Sequence, residues 1–203
     1  MISQCGDDDS QCPWSKREAE LLAITLELLR EHGYDRFSVE AVATKAKASK
    51  ATMYRRWPTK ADLVLAAFIE GTRDSATPPN TGSLRGDLTE IARSTCAQAL
   101  EHMRTMRAVL NEMSHSPALQ DAMQQKFVLQ RNQVMDAVLS AAVDRGEIEA
   151  SAINQEIFDL LPGYLVYRVL VADRPPTDET VRVVVDDVLL PSLGVTRRQE
   201  RVS

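Results

Sequence analysis

The run Ser38-Val-Glu-Ala-Val-Ala-Thr-Lys-Ala-Lys-Ala-Ser-Lys-Ala-Thr-Met-Tyr-Arg-Arg-Trp-Pro-Thr-Lys60 decides the fold. Ser38 suits a helix N-cap, and Glu40 falls in the first turn, near the positive end of the helix dipole. Val39, Val42, Ala43 and Ala46 form one inward face. Lys47-Ala48 breaks the pattern, and Ser49 offers a second N-cap. The next helix runs from Lys50 to about Trp57 and stops before Pro58, because the residue preceding a proline disfavours the helical region. Thr59-x-x-Asp62 reads as a capping box for a further helix carrying Leu63, Leu65, Phe68 and Ile69. On the helix after Ser49, Met53 and Trp57 lie four apart on a buried side. Lys50 and Tyr54, also four apart, share another face, with Thr52, Arg55 and Arg56 on the adjoining surface.

Working outward, residues 15–32 carry Leu21, Leu22, Ile24, Leu28 and Leu29 as a broad apolar stripe at helical spacing, and Gly33 is the expected stop. Tyr34 and Phe37 add bulk for a small core. Residues 1–14 read as a disordered tail. Downstream, residues 72–86 form the clearest loop in the chain. Helices are expected at 84–100, 103–115, 117–145, 153–172 and 178–193, with Pro117 in a first turn after Ser116 and Gly146 as a C-terminal stop. The sequence thus predicts an all-α protein. A helix-turn-helix domain at 15–61 precedes a larger helical domain at 62–195, and 196–203 is a second tail.

Composition agrees. Of 203 residues, 44 % are hydrophobic and only 5 % aromatic, with 8 glycines, a balance that favours helices over a sandwich or barrel. No apolar run approaches the roughly 18 residues needed to span a bilayer. Asp7, Asp8 and Asp9 stand where a signal peptide would be basic and then apolar, so a cytoplasmic protein is expected. Cys5, Cys12 and Cys96 form no CxxC pair and lie at no metal-ligand spacing to the histidines, so neither a metal nor a cofactor is expected. The net charge of −5 hides an asymmetry. Residues 16–60 hold ten bases and six acids, a net of +4, leaving −9 on the remainder, and 45–60 contains no acid at all. A basic module on an acidic body is the footprint of a nucleic-acid binder. Periodicity and charge alone leave open a solvated basic face over a small aromatic core.

Two short helices joined by a tight turn, the second basic and both braced by a preceding helix, can dock one helix in the major groove of double-stranded DNA. Lys50 and Arg55 could then reach base edges. Tyr54, Arg56 and Lys60 could meet phosphates, and Ser38 could offer a hydroxyl at the start of its helix. The run 38–63 resembles the DNA-binding module of the TetR (tetracycline repressor) family, and Leu21-Leu-Ala-Ile-Thr-Leu-Glu-Leu-Leu-Arg-Glu-His-Gly-Tyr34 resembles that family's first helix. The family pattern falls on Val42, Ala43, Ser49, Thr52, Met53, Tyr54, Arg55, Arg56, Trp57, Lys60 and Leu63, and the likeness covers about 16–70. One position departs from it. Lys47 stands where the family turn usually has Gly, and a left-handed non-Gly residue costs about 1 kcal/mol; the lysine adds charge near the DNA. The resemblance implies a DNA-contact set of Ser38, Lys47, Ser49, Lys50, Thr52, Tyr54, Arg55, Arg56 and Lys60.

It also implies a C-terminal domain that binds a small molecule and dimerises through its last two helices. The segments around Phe158, Leu161 and Leu165 and around Val184 and Val188 are apolar nearly all round, so they must be buried on most faces. A homodimer interface is one reading, on a two-fold axis matching a palindromic operator, and central core helices are the other. Met103, Met106, Met113, Met123, Phe127 and Tyr164 are candidate pocket residues, with ordinary core the competing reading. Glu112, His102 and His115 could add a polar anchor, or the histidines could sit in exposed turns. The expected function is a DNA-binding transcriptional regulator, a repressor released by a small-molecule effector. An activator of the same architecture, or a helical interaction protein without a ligand, stays open. No enzymatic constellation is legible: no histidine has a partnered acid and nucleophile, and no Gly-rich loop could cradle phosphate.

Overall fold

The structure, a computed structural model, describes residues 14–73 and 77–195. The chain divides into two compact units: one takes in the residues up to Arg73 together with Arg104–Asp121, and the other comprises Asp74–Met103 and Ala122–Ser203. All regular structure among the described residues is helical. The cysteines Cys5 and Cys12, the aspartates 7–9 and the tail 196–203 lie outside those residues.

In the first unit, α1 spans Lys16–Arg36. Ser15 caps it reciprocally with Glu18: the Ser15 Oγ accepts from the Glu18 N–H at 3.2 Å, and the Glu18 carboxylate accepts from the Ser15 N–H at 2.8 Å. Gly33 breaks the helix at the position where the sequence places its stop. It kinks it at φ +70°, a conformation open to glycine, and a last turn follows before the Phe37 N–H closes on the Gly33 carbonyl at 3.1 Å. α2 (Val39–Lys45) starts at Ser38, whose hydroxyl accepts from the Ala41 N–H at 3.2 Å. α3 (Lys50–Arg56) starts at Ser49, whose hydroxyl accepts from the Thr52 N–H at 3.1 Å. α4 (Lys60–Gly71) starts at Thr59, boxed with Asp62. Between α2 and α3, Lys47 adopts φ +52° and the Ala48 N–H donates back to the Ala43 carbonyl at 2.8 Å. The tight turn therefore forms on a lysine. The core is Leu21, Leu22, Leu26, Leu28 and Leu29 of α1 with Phe37, Val42, Met53, Trp57 and the buried run Leu63–Ile69. α1 packs most extensively on α4, and both lie in the first compact unit.

α5 (Leu84–Met113) is one helix of 30 residues, not the two expected on either side of residues 101–102. Past Gly86 in its first turn no Gly or Pro interrupts it, and its buried row Leu84, Leu88, Ala92, Cys96 and Ala99 runs on through His102, Thr105 and Val109 at the same three- and four-residue steps. His102 is thereby buried rather than placed in an exposed turn. The helix expected at 117–145 appears as α6 (Pro117–Met123), a π-helical turn Gln124–Val128 and α7 (Leu129–Asp144). Gly146 then turns the chain at φ +71°. α8 (Gln155–Val166) passes into a π-helical segment Tyr167–Val171, and α9 (Asp178–Val183) continues through the π-helical Val184–Leu189 into α10 (Leu190–Ser192).

In the second unit the row on α5 meets Val138, Leu139 and Ala142 of α7, Ile157, Leu161 and Leu165 of α8, and Val181, Val184, Val185 and Leu189 of the last helical stretch. The start of α5 is pinned by a buried Asp87, which accepts from the Thr81 N–H at 2.6 Å and hydroxyl at 2.7 Å and pairs with Arg145 at 3.3 Å. Among the described residues no helix is long and apolar enough to cross a membrane, and no group of His, Cys, Asp or Glu could hold a metal ion.

Candidate nucleic-acid interface

α3 is fixed from behind and open in front. Met53 and Trp57 are buried, as their spacing predicts. Trp57 meets Trp14, their ring centroids 6.2 Å apart and tilted at 45°. Trp14 was expected in the disordered tail; it is buried instead, because its indole closes the edge of this small core.

The cations of the candidate DNA-contact set fall into three groups. Arg55 and Lys47 are exposed and have no side-chain partner among the described residues. Lys50 is exposed and lies 3.5 Å from the Glu40 carboxylate. Tyr54, 41 % exposed, donates its hydroxyl to the same Glu40 oxygen over a long 3.4 Å. The Glu40 carboxyl falls below its ordinary value, its own backbone N–H contributing most, with Lys50 and Tyr54 adding to the effect. Arg56 and Lys60 are already engaged. Arg56 pairs with Glu18 and stacks over Trp14, 5.1 Å from its centroid. Lys60 donates to the Tyr34 carbonyl at 2.6 Å, with its ammonium 4.3 Å from the Tyr34 ring and 5.7 Å from Phe37. Tyr34 itself is pushed up to about 12, by burial first and then by Glu112 and Asp35.

Ser38, Ser49 and Thr52 line the starts of the two short helices. Their hydroxyls serve the caps, and the Ser49 and Thr52 oxygens lie 2.8 Å apart. The nine candidate residues are thus all on or beside α2–α3 and the start of α4. The sequence reading missed the acidic and aromatic groups that hold them: Trp14, Glu18, Glu40 and the Tyr34 ring. Ser15-x-x-Glu18 was a legible capping signal, whereas nothing in the spacing announced that Glu40 would face Lys50 and Tyr54.

A cap-anchored pair of short helices around a left-handed turn, with a buried rear face and a free arginine in front, defines a helix-turn-helix DNA-binding transcriptional regulator. Residues 21–67 match the family described as bacterial regulatory proteins, tetR family, and residues 78–188 match the tetracyclin repressor-like C-terminal domain. An HTH-type transcriptional regulator of Mycobacterium tuberculosis is 59 % identical over 181 residues, covering 89 % of this chain and 90 % of that protein. A DNA-binding transcriptional repressor TetR of Mycobacteroides abscessus is 37 % identical over 178 residues, covering 86 % and 92 %. The crystal structure of a TetR family transcription regulator superposes with a TM-score of 0.75 at 28 % identity, over 86 % of this chain and 97 % of that one. The chain belongs to the TetR family.

The candidate pocket residues do not fall in one unit. Met106 and Met113 belong to the first, and Met103, Met123, Phe127 and Tyr164 to the second. Met123 is buried and the other five are half-buried. Of the candidate interface residues, Leu161, Leu165 and Val184 are buried inside this chain's own core, which is where helices apolar on most faces pack first. Phe158 is half-buried against that core. Val188 is exposed, together with Val166, Tyr167 and Val171 at the end of α8, the last two 57 % and 69 % exposed.

Proposed function

We propose that this regulator is a homodimeric repressor that holds a palindromic operator in its free state and lets go when a small molecule is bound. The reading rests chiefly on Arg55: an unpaired arginine on the exposed front of a helix whose rear is locked is what base readout in the major groove requires. Arg55 and Lys50 read base edges. Lys47, Tyr54, Ser38, Ser49 and Thr52 meet phosphates, and Arg56 and Lys60 hold the reading helix in place. The partner copy covers Val166, Tyr167, Val171 and Val188, large apolar side chains that the last helices leave exposed. The repressor named among the relatives supports the sign of regulation. The DNA-binding domain is the helix-turn-helix with α4, and the rest of the chain is the effector and dimer domain. A protein that works on chromosomal DNA acts in the cytoplasm, and no catalytic step is needed.

The test is a gel-shift titration against the promoter-proximal DNA beside the protein's own gene, followed by fractionated small molecules. A salt-sensitive shift reversed by a compound is the expected result. No shift at any concentration sinks the operator claim, and a shift that no compound reverses sinks the ligand-released one.

A further inference from the structure

The arginines of the second unit fall into distinct groups. Arg85, Arg93, Arg145 and Arg182 each face a carboxylate, on Asp186, Glu90, Asp87 and Glu179 respectively. Arg174 is exposed. Arg131 and Arg168 are half-buried and have no acid partner among the described residues. Arg168 donates to the Tyr164 hydroxyl at 3.1 Å and the Pro175 carbonyl at 3.3 Å, and its Nε is buried with no partner.

Arg131, on α7, is the more exceptional of the two. Its Nη2 donates to the neutral side-chain oxygen of Gln98 on α5, and its guanidinium lies 5.1 Å from the centre of the Phe127 ring. Burial alone draws its pKa down to about 10, and no carboxylate acts in the other direction. Fixing a guanidinium among helices with only an amide and a ring for company is costly, and the ordinary remedy is a carboxylate. The remaining N–H groups of that planar fork match a carboxylate in two-pronged geometry.

We propose that Arg131, positioned by Gln98 and flanked by the Phe127 ring, receives the carboxylate of an anionic small molecule taken up by the second unit. This rests on the ligand-responsive reading above and narrows it from any small molecule to an acid.

The test compares pairs of probes that differ in charge but not in shape: benzoate with benzamide, and octanoate with octanamide. The readout is thermal unfolding of the full-length protein. The wild type should gain roughly 3 °C or more with an acid at millimolar concentration and little with its amide. The aryl and alkyl arms tell which kind of acid fits. Arg131→Met keeps the length of the side chain; it should lose the acid-dependent gain while unfolding, ligand-free, at or above the wild-type temperature. If Arg131→Met unfolds several degrees lower, the guanidinium is a structural member of the bundle and the proposal falls. It falls equally if acids and amides behave alike on the wild type. Release of the operator by a neutral compound but not by acids overturns this inference and leaves the ligand-released repressor standing.

Discussion

Lys47 is a lysine doing the work of a glycine, and the strain is local. At φ +52° its Cβ crowds the following carbonyl, at about 1 kcal/mol. Lys47→Gly should therefore raise the unfolding temperature by about 2 °C, while Lys47→Ala, which keeps the Cβ, should not. Both should weaken DNA binding equally if the charge is what the DNA senses; a difference between them in affinity would put the contribution in the turn's geometry instead. Arg55→Ala is expected to cost about 1–3 kcal/mol on the operator and far less on random DNA. Lys60→Ala should behave otherwise, because its ammonium is spent on the Tyr34 carbonyl and two rings. It should lower thermal stability by about 1–2 kcal/mol, and a Lys60→Ala protein as stable as the wild type would return that lysine to the phosphates. At this scale the sequence was legible where chemistry is local. Caps at Ser38, Ser49 and Thr59 follow from residue type and neighbours, whereas the left-handed turn at Lys47 follows from the family resemblance. Partnerships across the fold, such as Arg56 with Glu18, depend on distances that spacing does not encode.

Among the elements, the start of α1 is a joint rather than a beginning. Glu18 caps Ser15 and grips Arg56 at the end of α3, so one carboxylate serves two helices. Partial burial pushes the Glu18 carboxyl up, but the Ser15 N–H and hydroxyl and then Arg56 pull it further down, leaving it below the usual carboxylate range. A carboxyl held lower in the folded than in the unfolded chain stabilises above its unfolded value, and the contribution drains away as pH falls through the folded one. The unfolding temperature of the wild type should thus fall more steeply in acid than that of Glu18→Gln, and the two curves should converge at low pH. Parallel curves would mean the pair is idle. In the second unit, Asp87→Ala removes the acceptor of the Thr81 N–H and hydroxyl and the carboxylate that faces Arg145, at roughly 2 kcal/mol by chemical denaturation. Long elements were harder to read than short ones. The pattern at residues 84–113 was helical throughout, and only the assumption of a turn near residue 101 divided it. The π-helical turns in the later helices leave no mark on hydrophobic periodicity, since one extra residue shifts a face without breaking it.

On the scale of the molecule, apolar residues on the final helices divide into those that close the chain's own core and those left over. Sequence could not separate them, because Leu161 and Val188 look alike on an all-round apolar helix; only the packed core reveals that the first is used and the second is not. In the proposed dimer the remainder carries the association. Val171→Lys with Tyr167→Asp should leave secondary structure and unfolding cooperativity intact and convert the protein to a monomer in sedimentation at micromolar concentration. A dimer that survives both changes uses another face. The charge asymmetry, +4 on residues 16–60 against −9 elsewhere, favours approach of the basic segment, rather than the rest of the chain, to the duplex.

Glu40 gives that approach a tempo. Its carboxylate lies between Lys50 and Tyr54, two of the proposed DNA contacts, so DNA meets a surface that already carries its own counter-anion. Each encounter with a stray sequence must displace that carboxylate before the grip tightens, and fewer small ions leave when it does. The result is a short stay at wrong addresses and a quick resumption of the search. Glu40→Gln should linger on non-operator DNA and find its operator more slowly in the presence of competitor; an unchanged dwell time would show that the swap happens without resistance.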